Sequence, residues 1–472
     1  MEAVEIQAQP LAALVELLEP ERAGRFLAAA EHGRGALAGR VVWNVNSTAS
    51  GGGVAEMLQT MLAYARGAEV DTRWLVLKGD PTFFEITKAI HNALHGSLVD
   101  RERFGPQDRA HYERVMQANL EQLQGLVRAG DFVLLHDPQT AGLGAGLRQL
   151  GAHVVWRCHI GRDDTNESTE RGWQFLREYV LAAEAFVFSR ASYVPDWVPR
   201  ERAVVIQPSI DPYSTKNRPM DDRQTKRVLL EVGLVRNRLE PDGIHFHRRA
   251  GHEGVLRRHV DLVTNAPPPV TAPLVVQVSR WDRLKDMTGV LTGFADHVAP
   301  HLPDAHLLLA GPEVRGVTDD PEGAVVYAEC RAVWEAMPAQ VRSRCHLATL
   351  PMDDVDENAF IVNALQRHAT VVVQKSLAEG FGLTLTEALW KARPVVASAV
   401  GGIRDQVTDG VEGFLIDDPA DLAHFGVHVV ELLQDPGLRN TMGGRRQARV
   451  HRDFLGDRQL VQWVELLMSL VS

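Results

Sequence analysis

Short strand-forming runs alternate with helical segments twice along this chain, and that double alternation leaves little choice of architecture. Strands alternating with helices build a parallel sheet covered by helices on both faces. In the first half, Arg40–Val45, Thr72–Leu77, Phe132–Leu135, His153–Arg157, Ala185–Phe188 and Ala203–Ile206 read as strands. Leu11, Leu14, Val15 and Leu18 recur at helical spacing, which predicts a helix over about residues 10–32. Further helices are expected from Val54 to about Ala65 and over Phe83–His95, Gln107–Ala129 and Thr140–Leu150. The polar run from Pro208 to Met220 breaks the pattern. A charged, His-rich loop over Gly243–His252 follows, and then a second set of strands: Leu274–Val278, His306–Ala310, Cys345–Leu347, Ala369–Gln374, Pro394–Ala397 and Gly413–Ile416.

With 472 residues, two domains are the natural division. We expect an N-terminal domain over residues 1–215 and a C-terminal domain over 216–456, both α/β and doubly wound. The last helix, within residues 457–472, follows the kink-like Asp453–Asp457 segment and is expected to pack back on the first domain. Ligands of such sheets bind beyond the carboxyl ends of the strands, and two facing domains would place an active site in the cleft between them.

A net charge of −11 argues against a nucleic-acid surface, which needs clustered Lys and Arg. No apolar run is long enough to span a membrane, and the first residues lack the basic and apolar regions of a secretory signal. Cys158, Cys330 and Cys345 are odd in number and far apart, so neither a disulfide framework nor a Cys zinc site is expected. A cytoplasmic enzyme fits these features. Lysine is scarce: only Lys78, Lys88, Lys216, Lys226, Lys285, Lys375 and Lys391 occur, so each one invites a question.

The chemistry-bearing residues gather at strand ends. Gly51-Gly52-Gly53 joins a strand to a helix, where glycines let backbone N–H groups approach a diphosphate. It is neither the dinucleotide fingerprint nor a Walker loop. Arg280 and Lys285 follow the strand Leu274–Val278, placed to hold a diphosphate and neutralise a departing negative group. Glu379-Gly380-Phe381-Gly382-Leu383-Thr384 leads to Glu387 across a turn that opens a helix, a natural seat for phosphate. A glycosidase needs two carboxylates about 5–9.5 Å apart across one bond, which this spacing does not readily supply. Hydroxyl binding by Glu379 and Glu387 is the easier assignment. His159 ends a strand, and Asp137 stands after His136 at the end of another, suited to sugar hydroxyls or to capping a turn. His245, His247 and His252 lack a carboxylate or Cys at ligand spacing, so no metal is expected there.

Together these residues resemble a family. Glu379 through Glu387 resembles the Glu-x7-Glu motif of retaining, two-Rossmann-domain (GT-B) glycosyltransferases of the family 4 type. Arg280 and Lys285 match that family's Arg/Lys pair, and Gly401–Asp405 and Gly410–Leu415 match its downstream pattern. The N-terminal half is similar to the trehalose glycosyltransferring synthases, through Val42–Thr48, Gly51–Leu58, Phe83–Lys88, His91–Gly96, His136–Gln139 and Trp156–Ile160. Where those enzymes usually have Asp after His159-Ile160, this chain has Gly161, with Asp163 and Asp164 close behind.

The resemblance implies a GT-B fold and a UDP- or ADP-glucose donor. Arg280 and Lys285 would hold the diphosphate, Glu387 the ribose and Glu379 the glucose 3-hydroxyl. Gly51, Gly52, Gly53, Gly380, Phe381, Gly382, Leu383 and Thr384 would line the donor site, with Arg280, Lys285, Glu379 and His159 counted as catalytic. Asp137, His159 and Asp163 would bind the acceptor. Transfer to glucose would retain configuration and give α,α-trehalose, reversibly. The cations would replace a catalytic metal, and no cofactor beyond the donor is expected. Neither nucleic acid nor membrane is an expected partner, and a homodimer is left open. Retaining trehalose phosphorylase, another acceptor, and a non-catalytic sugar-nucleotide sensor are the alternatives.

Overall fold

The computed structural model describes residues 1–49, 52–98, 100, 102–237, 243–249, 251–257, 259–314 and 322–471. The chain divides into two compact units, Met1–Ile210 with Leu455–Ser472, and Asp211–Phe454.

The first unit contains β1 (Glu2–Val4), β2 (Val42–Asn46), β3 (Thr72–Val76), β4 (Phe132–His136), β5 (His153–Cys158), β6 (Ala185–Phe188) and β7 (Ala203–Val205). They form one sheet in the order β1-β3-β2-β4-β5-β6-β7, parallel except for the edge strand β1. Every residue of β2 and β4 is buried, as a sheet covered on both faces requires. One face packs Phe83, Ile86, Tyr112, Trp156 and Phe175; the other packs Leu58, Leu62, Trp74 and Phe132.

The last helix, Gly456–Ser469, belongs to this second face through Trp463, Leu466 and Leu467. Full burial of such side chains stabilises by about 1.5–3 kcal/mol each. Arg22 clamps Asp457 with two 2.6 Å hydrogen bonds, and Ser209 Oγ donates to Gln459 at 2.5 Å.

The second unit holds a small antiparallel hairpin, β8 (His245–His247) and β9 (Glu253–Val255), and a second large sheet. Its strands are β10 (Asp261–Val263), β11 (Leu274–Val278), β12 (His306–Pro312), β13 (Cys345–Leu350), β14 (Val371–Gln374), β15 (Val395–Ser398) and β16 (Phe414–Ile416). The order is β10-β13-β12-β11-β14-β15-β16, again parallel except at the β10 edge. Both sheets reverse their winding beside their first parallel strand. The switch points are β2/β4 and β11/β14, and the carboxyl ends there are where such sheets bind ligands.

The structure differs from the sequence reading in several places, among them the following. The helix expected over residues 10–32 is two helices, Ala12–Glu16 and Pro20–Ala36. Pro20 holds Glu19 in extended conformation and starts the second helix itself. The loop expected over Gly243–His252 contains most of the β8–β9 hairpin, in which Phe246 stacks on Phe360 at 4.8 Å. The edge strand β1 is too short to show in the pattern. Among the described residues, no helix is long and apolar enough to cross a membrane.

Candidate active site

Arg280 and Lys285 leave the carboxyl end of β11, and the loop from Lys375 to Glu379 leaves the neighbouring end of β14. The chain knits these two loops together. Gln277, fully buried on β11, donates from Nε2 to the Lys285 carbonyl at 2.8 Å and accepts the Lys375 N–H at 3.1 Å. The Leu377 N–H reaches the Leu284 carbonyl at 2.8 Å. As a result Lys285 Nζ stands 2.6 Å from Glu379 Oε2, and Ser376 Oγ donates to the same oxygen at 3.3 Å. Arg280 Nη2 lies 3.5 Å from Asp282 Oδ2, and a third of its side chain is exposed.

Gly382 adopts φ 90° and ψ 56°, a left-handed conformation that only glycine enters readily. It turns the chain into the helix Leu383–Trp390, whose first N–H groups have no intrahelical acceptor. Gln406 fixes this turn. Its Nε2 donates to the Phe381 carbonyl, and its Oε1 accepts from Thr386 Oγ1 at 2.7 Å. The Thr384 carbonyl accepts from Gln366 at 3.2 Å. The Phe381 ring is buried against Phe454. Gly402 packs so closely that a Cβ there would stand 2.5 Å from the Phe381 Cα and 2.9 Å from the Gly380 carbonyl oxygen. Glu387, one turn into the helix, is nearly buried and lies 3.2 Å from Lys216 Nζ. Each carboxylate of the motif thus faces a lysine.

In the first unit, Asn44 on β2, His136 ending β4 and His159 after β5 form a hydrogen-bonded line. His136 Nε2 lies 3.1 Å from Asn44 Oδ1, and His136 Nδ1 lies 3.1 Å from His159 Nε2. The Asn44 oxygen can only accept, so His136 Nε2 carries the proton and its Nδ1 accepts from His159 Nε2–H. That leaves His159 neutral, with Nδ1 as its remaining acceptor. Burial pushes His136 down to about 3 and His159 well below the usual histidine range, with the Arg157 guanidinium adding to both.

Asp137 follows at φ 63°, a conformation rare for residues other than glycine and typical of sites where surrounding structure imposes it. Its Oδ1 accepts the His159 N–H at 2.7 Å, and Trp156 Nε1 donates to its carbonyl at 3.1 Å. Burial raises its carboxyl to about 7, against the pull of that hydrogen bond and of Arg157. Arg157 itself is fully buried, pushed down to about 9 by desolvation, and lies over the Trp463 ring at 5.3 Å.

Other residues anticipated from sequence are placed differently. Asp163 is engaged by Arg190 and by Ser192 Oγ at 2.7 Å. Gly52 is extended, at φ −169°, and a Cβ there would meet nothing within 4 Å. Its conformation therefore does not demand glycine. Gly53 begins the helix Gly53–Gly67, and Gly51 lies outside the described residues. A Cβ at Gly161 would stand 2.3 Å from the Tyr193 ring, so an Asp cannot occupy position 161 with that ring in place. Sequence reasoning named no role for Asn44, His136, Lys216, Lys375, Asp286 or Gln406. The scarcity of lysine already pointed at Lys216 and Lys375, and Asn44 and His136 lie in the runs that carry the family resemblance; Asp286 and Gln406 sent no signal.

The family described as trehalose synthase, N-terminal domain, matches residues 44–195, and that of glycosyl transferases group 1 matches residues 355–449. Among solved structures, sucrose-phosphate synthase from Thermosynechococcus elongatus is similar at TM-score 0.63 and 17% identity, over 92% of this chain and 99% of that one. An α,α-trehalose 6-phosphate synthase from Burkholderia multivorans gives TM-score 0.63 and 14% identity, over 92% and 99%. The fold is therefore the GT-B fold, with a glycosyl transferases group 1 domain in the second unit. A trehalose synthase from Pyrococcus horikoshii is 32% identical over 92% of this chain and 91% of its own length, and one from Rubrobacter xylanophilus is 33% identical over 93% and 92%. A trehalose phosphorylase from Pleurotus sajor-caju is 25% identical over 86% of this chain and 55% of its own. The chain belongs to the trehalose synthase family of glycosyltransferases.

Proposed function

We propose that this protein transfers glucose, with retention, from a nucleoside-diphosphate glucose to glucose, forming α,α-trehalose reversibly. The observation that carries the reading is the 2.6 Å approach of Lys285 Nζ to Glu379 Oε2, beside the left-handed Gly382 turn at the switch point of the second sheet. A cation, a carboxylate and a helix N-terminus meet there, which suits a ligand with both diphosphate and sugar parts. In this reading Lys285 and Arg280 hold the diphosphate and offset the charge that grows on it as the glycosidic bond breaks. Glu379 accepts a glucose hydroxyl, and Glu387, beside Lys216, accepts the ribose hydroxyls.

At the first sheet, Asp137 and the acceptor nitrogen of neutral His159 bind hydroxyls of the acceptor sugar. The departing phosphate takes the acceptor's proton on the same face, which accounts for retention without a protein nucleophile. Because the cations supply the charge, the reading asks for no catalytic metal, and chelator treatment should leave the rate unchanged. Buried, free Cys158, Cys330 and Cys345 suit a reducing cytoplasm.

The test is to incubate the protein with UDP- or ADP-glucose and glucose, and to assign the product linkage by NMR. The reverse reaction uses trehalose with UDP, ADP or inorganic phosphate. Nucleotide-glucose formation supports the proposal. Glucose 1-phosphate formed with phosphate alone would replace it by the phosphorylase reading that the Pleurotus relative suggests.

A further inference from the structure

Lys375 is fully buried, and its ammonium meets Asp286 Oδ2. Burying an ion pair is expensive and seldom more stabilising than apolar packing, so such a pair invites a role beyond stability. Its location supplies one. Asp286 directly follows Lys285 and sits in the left-handed region at φ 47° and ψ 46°. It also caps the helix Met287–His297 by accepting the Gly289 N–H at 3.1 Å. On the other side, Lys375 begins the loop that carries Ser376 and Glu379. Asp286 is the carboxylate next in sequence to Lys285, and Lys375 occupies it, while Lys285 pairs with Glu379.

We propose that Lys375 is a positioning residue. Through Asp286 it fixes the strained turn after Lys285 and keeps that lysine directed at Glu379 and the donor's leaving diphosphate. This inference rests on the donor reading given above. Without Lys375, Asp286 competes for the Lys285 ammonium, and the turn loses the partner that holds it.

The experiment measures kcat and donor KM with UDP- or ADP-glucose, whichever the wild type uses, for Lys375→Met and Asp286→Asn. Asn at 286 keeps both the left-handed conformation and the helix cap, so only the charge is lost. Both variants are repeated in a Lys285→Ala background, and thermal melts confirm folding. We expect each to lower kcat by roughly 100-fold with little change in KM, as for a group that aims a transition-state contact. In the Lys285→Ala background each should cost under about threefold, because coupled residues are not additive. A general packing defect would instead multiply with Lys285→Ala. Such multiplication, or wild-type turnover in both folded variants, overturns the proposal. If Lys375→Met does not fold, Asp286→Asn decides by the same criteria. Wild-type turnover of Lys285→Ala removes the donor clamp itself, whereas a crippled Lys285→Ala beside an active Lys375→Met removes this inference alone.

Discussion

Single residues here do chemistry that their neighbours define. Lys285 is one of seven lysines, and its meaning comes from Glu379 at 2.6 Å. Truncating Lys285 to Ala should lower kcat/KM by about 10²–10³, the loss expected for one donor aimed at developing charge. Steady-state kinetics with the proposed nucleotide-glucose donor check this. Asp137 permits a prediction with a definite sign. Its carboxyl titrates near 7 when folded, against 3.8 for an unperturbed carboxyl. Between those values the folded state holds a proton that the unfolded state has released. Asp137 therefore contributes stability below about pH 4, and that stability is lost as pH rises to about 7. Asn at 137 keeps the turn and an acceptor for His159 N–H, but does not titrate. Relative to wild type, Asp137→Asn should gain stability as pH rises from 4 to 7, by at most ~1.4 kcal/mol per unit. Hydrogen exchange of β4 and β5 at pH 5 and 7 reads the difference; a constant offset would contradict it.

Elements place these residues by their ends. Strands β11 and β14 lie side by side, so the loops that leave them meet. Parallel alternation was legible in the sequence because strands buried on both faces need continuous apolar runs, as in Val371–Val373. The Gly382 turn was legible as a glycine-bearing entry to a helix, although its left-handed backbone was not. A Cβ at Gly382 would sit at φ 90° and 3.2 Å from Glu379 Cγ. Gly382→Ala should therefore cost about 1–2 kcal/mol of stability and also displace Glu379, with a loss in kcat/KM exceeding the loss in stability. Thermal melts beside donor kinetics separate the two. Conversely, the short strand β1 and the β8–β9 hairpin were illegible: a three-residue strand carries little periodicity of its own and shows only where the strand–helix alternation calls for one, as at β7 and β16.

For the whole molecule, the last helix belongs to the unit that the chain left some 250 residues earlier, as the Ser209–Gln459 and Arg458–Gln207 hydrogen bonds record. Trp463 is the largest side chain it buries, beneath the Arg157 guanidinium. Trp463→Ala should destabilise the first unit by about 3–5 kcal/mol. Hydrogen exchange should rise in β2, β3 and β4 while the second unit's strands keep their protection. Equal loss in both units would show that they unfold together.

By itself the sequence determined the class of fold, because apolar runs of strand length spaced by helices can be buried in few other ways. It also marked Arg280, Lys285, Glu379, Glu387, Asp137 and His159 as residues of interest, since each stands near a strand end or within the first turns of a helix. Only the tertiary structure decided which groups meet. Glu379 and Lys285 are 94 positions apart, Lys216 and Glu387 still farther, and Asn44 on β2 reaches His136 on the neighbouring β4. Hydrogen bonds and ion pairs act over a few ångströms, so their partners follow from strand order and loop packing, which no local pattern encodes. The same holds for the titration of Asp137, the left-handed turns at Asp286 and Gly382, and the Tyr193 ring that keeps position 161 glycine.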